Sequence, residues 1–237
     1  MWKALGDLLM PRTCLVCGRL LGAREDHLCI WCAADLPLTG YWMQPHNPMA
    51  DKFNETLERD RGDAPMPYAN AVALLFYHGE NPYRRIPQAL KYHDNLEAGR
   101  FFSRRLGGFL ARAEAFSDVD TVIPVPLHWL RRWRRGFNQA EVIAGELAET
   151  LGATLRTDIL VRSHPTRTQT RLSAGQRARN VSGVFRVRKS AQGRHLLLVD
   201  DTFTTGATLA ACYQAIRAVS DPDVRISVAT LAVVDAP

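Results

Sequence analysis

Leu196-Leu197-Leu198-Val199-Asp200-Asp201-Thr202-Phe203-Thr204-Thr205-Gly206-Ala207-Thr208 is the stretch that decides how this chain folds. Its first four residues are uniformly apolar, the composition of a parallel strand buried on both faces. Two adjacent carboxylates, Asp200 and Asp201, stand at the carboxyl end of that strand. A loop of small hydroxyl residues with one glycine follows, Thr204 to Thr208, and residues 209–219 then have helical spacing and good helix formers. Strand, acidic pair, small-residue loop and helix in that order predict an open α/β sheet. In such sheets ligands sit beyond the carboxyl ends of the strands.

The residue types say what the loop can hold. Gly206 and Ala207 leave backbone N–H groups uncovered, so a phosphate can approach closely. Thr204, Thr205 and Thr208 add hydroxyl donors, and the start of the next helix adds a favourable dipole. Asp200 and Asp201 would repel that anion. They suit instead the hydroxyls of an attached sugar, or a Mg²⁺ ion with its waters. Phosphate, ribose and metal in a row describe a ribose 5-phosphate compound. An adjacent acid pair after a buried strand is costly unless it has a use.

This stretch closely resembles the phosphoribosyl-pyrophosphate loop of type I phosphoribosyltransferases, with four apolar residues, two acids and then Thr-Thr-Gly-Ala-Thr at 204–208. It is not the phosphate loop of the nucleoside triphosphatases, because no Gly-Lys-Ser/Thr is present. Thr202 stands where many such enzymes carry an aliphatic residue.

The chain has 237 residues, 46% of them hydrophobic, which suffices for one α/β domain with a sizeable core and a small appendage. No apolar run approaches the roughly 20 residues of a membrane helix, so no membrane insertion is expected. Residues 1–10 carry Asp7 within their apolar stretch and are followed by Pro11 and Arg12. They read as a short amphipathic helix rather than a signal peptide. The protein is expected in the cytoplasm.

The net charge is +6, and lysine occurs only at 3, 52, 91 and 189, so arginine supplies most of the positive charge. Between residues 156 and 194 nine arginines and Lys189 face a single acid, Asp158. Arg131, Arg132, Arg134 and Arg135 form a second cluster, with Trp129, Trp133 and Phe137 among them. Such patches suit phosphates, of a small molecule or of nucleic acid, where they are not merely solvated faces. Aromatic rings among arginines can stack on bases, although Trp129 and Phe137 also fit a core.

Four of the five cysteines form two knuckles, Cys14-x2-Cys17 and Cys29-x2-Cys32, separated by eleven residues. This is the spacing of a structural zinc ribbon or finger, in which four thiolates close a tetrahedron. Gly18 allows the tight turn after the first knuckle. A cytoplasmic setting argues against disulfides, and two knuckles argue against a single redox motif. Four cysteines leave no open position, so the zinc is structural, and His27 is a substitute ligand that the site does not need. Cys212 reads as a small core residue.

Three parts are expected: a four-cysteine zinc-binding module over 1–40, a connector over 41–80, and a phosphoribosyltransferase-like domain over 81–237. The stretch 41–70 is rich in Pro, Asn, Asp and Met and reads as irregular, with a short helix around 51–58. Strands are expected over 71–77, 121–126, 184–188 and 225–233, and helices over 84–91, 96–115 and 138–151. The polar, basic stretch 162–183 has the character of a long functional loop.

After the strand at 121–126 a second loop holds Arg134, Arg135, Gly136, Asn138 and Gln139. Arginines and an exposed helix start can hold a pyrophosphate leaving group. The run Arg135-Gly136-Phe137-Asn138-Gln139, taken with Pro124-Val125-Pro126, resembles the ComF/GntX family of phosphoribosyltransferase-like proteins. Leu90-Lys91-Tyr92 is similar to that family's Leu-Lys-aromatic segment. Gln169, Leu172, Ser173, Arg177, Asn180, Val181 and Phe185 are similar to its loop, and the four cysteines to its amino-terminal module.

The resemblance implies a type I phosphoribosyltransferase fold and a Mg-phosphoribosyl pyrophosphate site at Asp200, Asp201 and Thr204–Thr208. It implies a pyrophosphate loop near Arg134–Gln139 and a flexible loop containing Gln169, Arg177 and Asn180. Competence members of the family serve uptake of single-stranded DNA, and others are linked to use of external DNA as a nutrient. A role of that kind would take single-stranded DNA along Arg131, Arg132, Trp133, Arg134 and Arg135. It would bring the chain to a competence helicase or other DNA-processing proteins at the inner face of the membrane. The alternative is an active phosphoribosyltransferase of nucleotide or nucleobase metabolism, with Asp200 and Asp201 at the catalytic centre and an acceptor that cannot be read.

Overall fold

A computed structural model of the chain describes residues 11–59, 67–77, 81–90, 95–127, 136–162 and 184–234. Among these, seven strands and six α-helices follow in order. The strands are β1 (Ala71–Tyr77), β2 (Thr121–Pro124), β3 (Thr154–Leu155), β4 (Leu160–Arg162), β5 (Phe185–Val187), β6 (His195–Phe203) and β7 (Arg225–Val234). The helices are α1 (Ile30–Ala34), α2 (Pro48–Arg59), α3 (Arg85–Ala89), α4 (Leu96–Leu110), α5 (Gln139–Leu151) and α6 (Ala207–Arg217). Lys91, Tyr92, Trp129, Arg131, Arg132, Trp133, Arg134, Arg135, Gln169, Leu172, Ser173, Arg177, Asn180 and Val181, all named from the sequence, lie outside the described residues.

The main sheet has the order β1-β7-β6-β2-β3, and every pairing in it is parallel. β4 and β5 form a separate antiparallel pair. The α/β class with a parallel sheet and a four-cysteine cluster near the amino terminus is therefore the observed one. Connection handedness sorts the helices. β1 to β2 and β2 to β3 run toward one edge, whereas β6 to β7 runs toward the other. Right-handed crossovers put α4 and α5 on one face and α6 on the opposite face. α4 and α5 accordingly pack on each other, and α6 packs on α2.

The core lies where the apolar runs placed it. Leu196, Leu197, Leu198 and Val199 are fully buried, as expected of a central parallel strand. Several boundaries differ from expectation. β6 continues to Phe203, so Asp200 and Asp201 stand within its last four residues: Asp200 still pairs with Thr230, and Phe203 with Val233. The helix expected over 96–115 stops at Leu110, after a Gly107-Gly108 pair, and residues 111–117 form turns. The strand expected to reach residue 126 ends at Pro124, where two prolines cannot donate to a ladder.

The largest difference concerns residues 41–80. They hold a three-turn helix and the first strand of the sheet, so the sheet begins before the boundary expected at residue 81. Asn47 caps α2 by accepting from the Ala50 amide at 3.0 Å, and Pro48 occupies the first turn, where its missing N–H is harmless. Asn47 also donates to the Ala71 carbonyl at 3.0 Å, tying the cap to β1. Met49, Ala50, Phe53 and Leu57 form the buried face of the helix.

At the amino ends of the strands, far along the sheet from the acids, His195 is 1% exposed. Its Nδ1 lies 2.8 Å from Asp118 Oδ1, and its Nε2 lies 2.8 Å from Ser227 Oγ. The spacing is that of an Asp-His-Ser relay, but Ser227 is buried and no substrate reaches it. Burial lowers the His195 pKa, with Asp120 opposing. The folded value thus lies below the unfolded one of about 6.5, so the stabilisation is complete above that pH and is lost as pH falls. Replacing His195 by Gln is expected to flatten the dependence of urea-unfolding free energy on pH between about 7 and about 5. An unchanged slope would show that His195 does not set it.

Candidate functional site

Neighbouring strands whose connections leave in opposite directions create a crevice at their carboxyl ends. Here that pair is β2 and β6, held in register to the last turn by the Val125 amide donating to the Val199 carbonyl at 2.8 Å. A cleft of about 220 Å³ opens there. Val125, Pro126 and Leu127 form one wall, Asn138, Gln139 and Ala140 the next, and Asp200, Asp201 and Thr208 a third, with Arg162 joining them.

Each wall is fixed locally. Asn138 is the N-cap of α5: its side chain accepts from the Ala140 amide at 3.1 Å and donates to the Val125 carbonyl at 3.0 Å. One residue therefore holds the end of β2 and the start of α5 together. Gln139 follows at the first helical position and is 3% exposed. Its Nε2 has no acceptor among the described residues. A buried donor without a partner costs about 1–3 kcal/mol, and an acceptor in the cleft would offset that cost. Asp200 accepts from the Asp201 amide at 2.8 Å, which sets the angle between the two carboxylates. Arg162 comes from the end of β4, its guanidinium carbon 5.4 Å from the centre of the Phe185 ring.

Beside the cleft lies a smaller hollow of about 40 Å³, lined by Asp200, Thr202 and the loop from Phe203 to Leu209. The sequence predicts a loop of five residues, but α6 begins at Ala207, so only Thr204, Thr205 and Gly206 are loop. Gly206 is required twice over. Its φ of +75° is left-handed, and a Cβ there would lie 2.8 Å from Phe203 Cζ and 3.4 Å from Phe53 Cδ2. Among the described residues none accepts from the amides of Thr204, Thr205 or Gly206. In the first turn of α6 the Ala207 amide donates to Thr205 Oγ1 at 3.4 Å. Thr202 Oγ1 is also buried without a partner among the described residues at this hollow. Open amides at a helix start bind an anion, and the adjoining carboxylates bind hydroxyls or a cation.

Of the residues expected in the site, the structure brings together Asp200, Asp201, Thr204, Thr205, Gly206, Ala207, Thr208, Asn138 and Gln139. Gly136, with φ +75°, precedes the α5 cap by two residues. Arg162 reads in the sequence only as the start of a basic loop. Lys52 carries no sequence signal at all, yet its Nζ donates to the Thr204 carbonyl at 3.1 Å. Cys212 is fully buried in α6, and burial raises its thiol pKa, which makes it an inert core residue.

The four knuckle cysteines form a second centre. Their sulfurs all lie within 4.8 Å of one another, and Cys17 Sγ is 3.7 Å from Cys29 Sγ. A tetrahedron with bonds of about 2.3 Å places sulfurs about 3.8 Å apart, so the cluster can hold a metal ion of zinc's size. Gly18, at φ +75°, closes the first knuckle, its amide donating to the Cys14 carbonyl at 2.9 Å. Glu25 ties the connecting turn to the second knuckle by accepting from the amides of Gly22 and Ile30, both at 2.7 Å. Burial raises the Cys14 pKa, but the amides of Cys17, Cys29 and Val16 outweigh it and bring the thiol down to about 6. His27 packs instead against the Phe101 ring, 5.2 Å between centres. Tyr83 and Arg85 dock the module by donating to the carbonyls of Cys32 and Val16, at 3.2 and 2.8 Å.

Gly206→Ala is expected to lower the unfolding free energy by about 2 kcal/mol, from the strained φ and the clash with Phe203. A loss under about 0.5 kcal/mol in urea titration would show that the loop relaxes freely.

No family model matches the chain. It is 33% identical over 205 residues to DNA utilization protein YhgH of Escherichia coli O157:H7, covering 85% of this chain and 82% of the relative. With the YhgH protein of Salmonella typhimurium strain LT2 it shares 41% identity over 153 residues, or 63% of this chain and 66% of the other. With Competence protein F of Haemophilus influenzae it shares 30% over 161 residues, or 65% of this chain and 69% of the other. Among solved structures, phosphoribosylpyrophosphate synthetase from Mycobacterium smegmatis aligns with a TM-score of 0.35 at 18% identity, over 80% of this chain and 61% of that one.

Proposed function

We propose that this chain, which belongs to the family of DNA utilization protein YhgH and Competence protein F, binds Mg-phosphoribosyl pyrophosphate between β2 and β6 and takes part in the uptake or processing of single-stranded DNA. The observation that carries the ligand is the adjacency of two unlike sites. Three open amides and a helix start abut two carboxylates on one strand, and a buried, unpaired Gln139 amide faces the same cleft. A 5-phosphate suits the first, ribose hydroxyls and Mg²⁺ the second, and the Gln139 donor a pyrophosphate oxygen. Arg134, Arg135 and Gly136 are the residues expected at the pyrophosphate, and Gln169, Arg177 and Asn180 those of the expected flexible loop. The DNA role rests on the names of the relatives and on the arginine-rich sequence, with Arg131, Arg132, Trp133, Arg134 and Arg135 the contact residues. Cytoplasmic placement fits this role, and no described helix is long and apolar enough to cross a membrane.

Catalysis is the second reading, favoured by the two carboxylates, Asp200 and Asp201, that line the cleft. Asp200 and Asp201 would then steady positive charge developing on the ribose as pyrophosphate leaves.

Calorimetry separates these roles. Phosphoribosyl pyrophosphate with Mg²⁺ is expected to bind the wild-type chain, and the Asp200→Asn/Asp201→Asn pair to weaken it about 100-fold. Equal binding by the variant would overturn the site. Single-stranded oligonucleotide, titrated with and without the first ligand, is expected to bind with an affinity that falls linearly with salt on logarithmic axes. Salt-independent binding, or none, removes the DNA half. Pyrophosphate release from the bound ligand is the signature of the catalytic reading.

Zinc is the ion we assign to Cys14, Cys17, Cys29 and Cys32, in a structural role because all four positions are filled by protein. Metal analysis is expected to give one zinc per chain, with a chelator lowering the unfolding midpoint. Less than about half an equivalent in reduced protein contradicts the assignment.

A further inference from the structure

We propose that Lys52 is a positioning residue for the anion loop, acting from α2 through the Thr204 carbonyl; the inference rests on the phosphate reading of that loop. The peptide plane sets the geometry. In a trans peptide the C=O and N–H point in opposite directions, and no cis bond occurs among the described residues. Lys52 Nζ donates to the Thr204 carbonyl at 3.1 Å. That bond turns the oxygen toward α2 and so turns the Thr205 amide away from it. The Thr205 amide oriented in this manner is among those with no acceptor among the described residues.

The platform is rigid enough for this work. Residues 52 and 56 are one helical turn apart and so project side by side, and Thr56 is held by the Lys52 carbonyl at 2.8 Å. Between them in sequence, Phe53 is fully buried, with ring centres 6.3 Å from Phe203 and 5.9 Å from Tyr213. The helix therefore grips the strand before the loop, the helix after it and the loop itself. The residue type fits as well. In a chain that draws nearly all its positive charge from arginine, a lysine ammonium gives a compact point charge to a single carbonyl, where a guanidinium fork matches two acceptors. A cation on the carbonyl also polarises the peptide and strengthens its N–H as a donor to an anion.

The test uses the full chain, ribose 5-phosphate as probe, and two readouts. Calorimetry is expected to give Lys52→Met a dissociation constant about tenfold above wild type, which is about 1.4 kcal/mol. Lys52→Arg recovers it to within about threefold. Lys52 is exposed, so the urea midpoint of both variants stays at the wild-type value. In ¹⁵N-resolved spectra the ligand shifts the Thr205 amide of wild type, and it shifts it less in saturated Lys52→Met. Wild-type-like affinity and amide shifts in Lys52→Met overturn the positioning role and leave the phosphate reading intact. Reduced affinity with unchanged amide shifts also overturns it, because lost charge alone then accounts for the effect. If wild type binds neither ribose 5-phosphate nor phosphoribosyl pyrophosphate, the phosphate reading fails first and this inference with it.

Discussion

The site depends on where β6 stops pairing and on what flanks it when it does. β6 is hydrogen-bonded on both sides up to Val199, to β7 and β2, and from Asp200 to Phe203 it stays paired to β7 alone, so the acids stand where one side of the strand comes free. Burial of Leu196 to Val199 fixes the depth of the strand, because a one-residue slip would drive carboxylates into the core. The reversal of connection direction between β2 and β6 then opens space at that spot. Sheet register, helix handedness and the placement of two acids are consequences of one topology.

Such a site is assembled against local stability. Gln139 Nε2 and Thr202 Oγ1 are buried donors left without acceptors among the described residues, and two acids share one strand end. The compensation is packing close by. Phe203 and Phe53 fill the space that a side chain at residue 206 would need, so the loop is held by aromatic contact from below and by α2 from outside. A ligand that satisfied the open amides and the Gln139 donor would relieve these costs, and binding would therefore stabilise the fold.

What can be read from the sequence follows this division. The buried strand, the acid pair and the loop are contiguous, so a pattern of apolar and acidic residues exposes them. The cysteine knuckles are legible because metal geometry imposes fixed spacing. α2 is harder. Asn47-Pro48 is punctuation that marks a turn as readily as a cap followed by a first helical residue, and only the buried face of Met49, Phe53 and Leu57 decides between them. Lys52 is invisible for another reason. Its partner lies 152 residues away, and nothing local to a lone lysine encodes a contact at that separation. Arg162 reaches the cleft only because β4 and β5 pair across a long sequence gap. The end of β6 is misplaced in the sequence because apolarity ends at Val199 although hydrogen bonding continues to Phe203.

The cysteine module also serves the sheet. β1 is an edge strand, fully buried from Ala71 to Leu75 and rich in apolar residues, which is the kind of edge that recruits other strands. The chain leaving the second knuckle runs along it. The Phe76 amide donates to the Pro37 carbonyl at 2.9 Å, and the Thr39 amide donates to the Leu74 carbonyl at 3.1 Å, with Leu38 bridging Leu75. Pro37 presents a carbonyl but no donor to this pairing, which ends it after a few residues. A metal ion that fixes Cys29 and Cys32 thereby fixes the start of the segment that caps the edge. Without an ion in the cysteine cluster, that segment would be held on the edge by these backbone bonds alone.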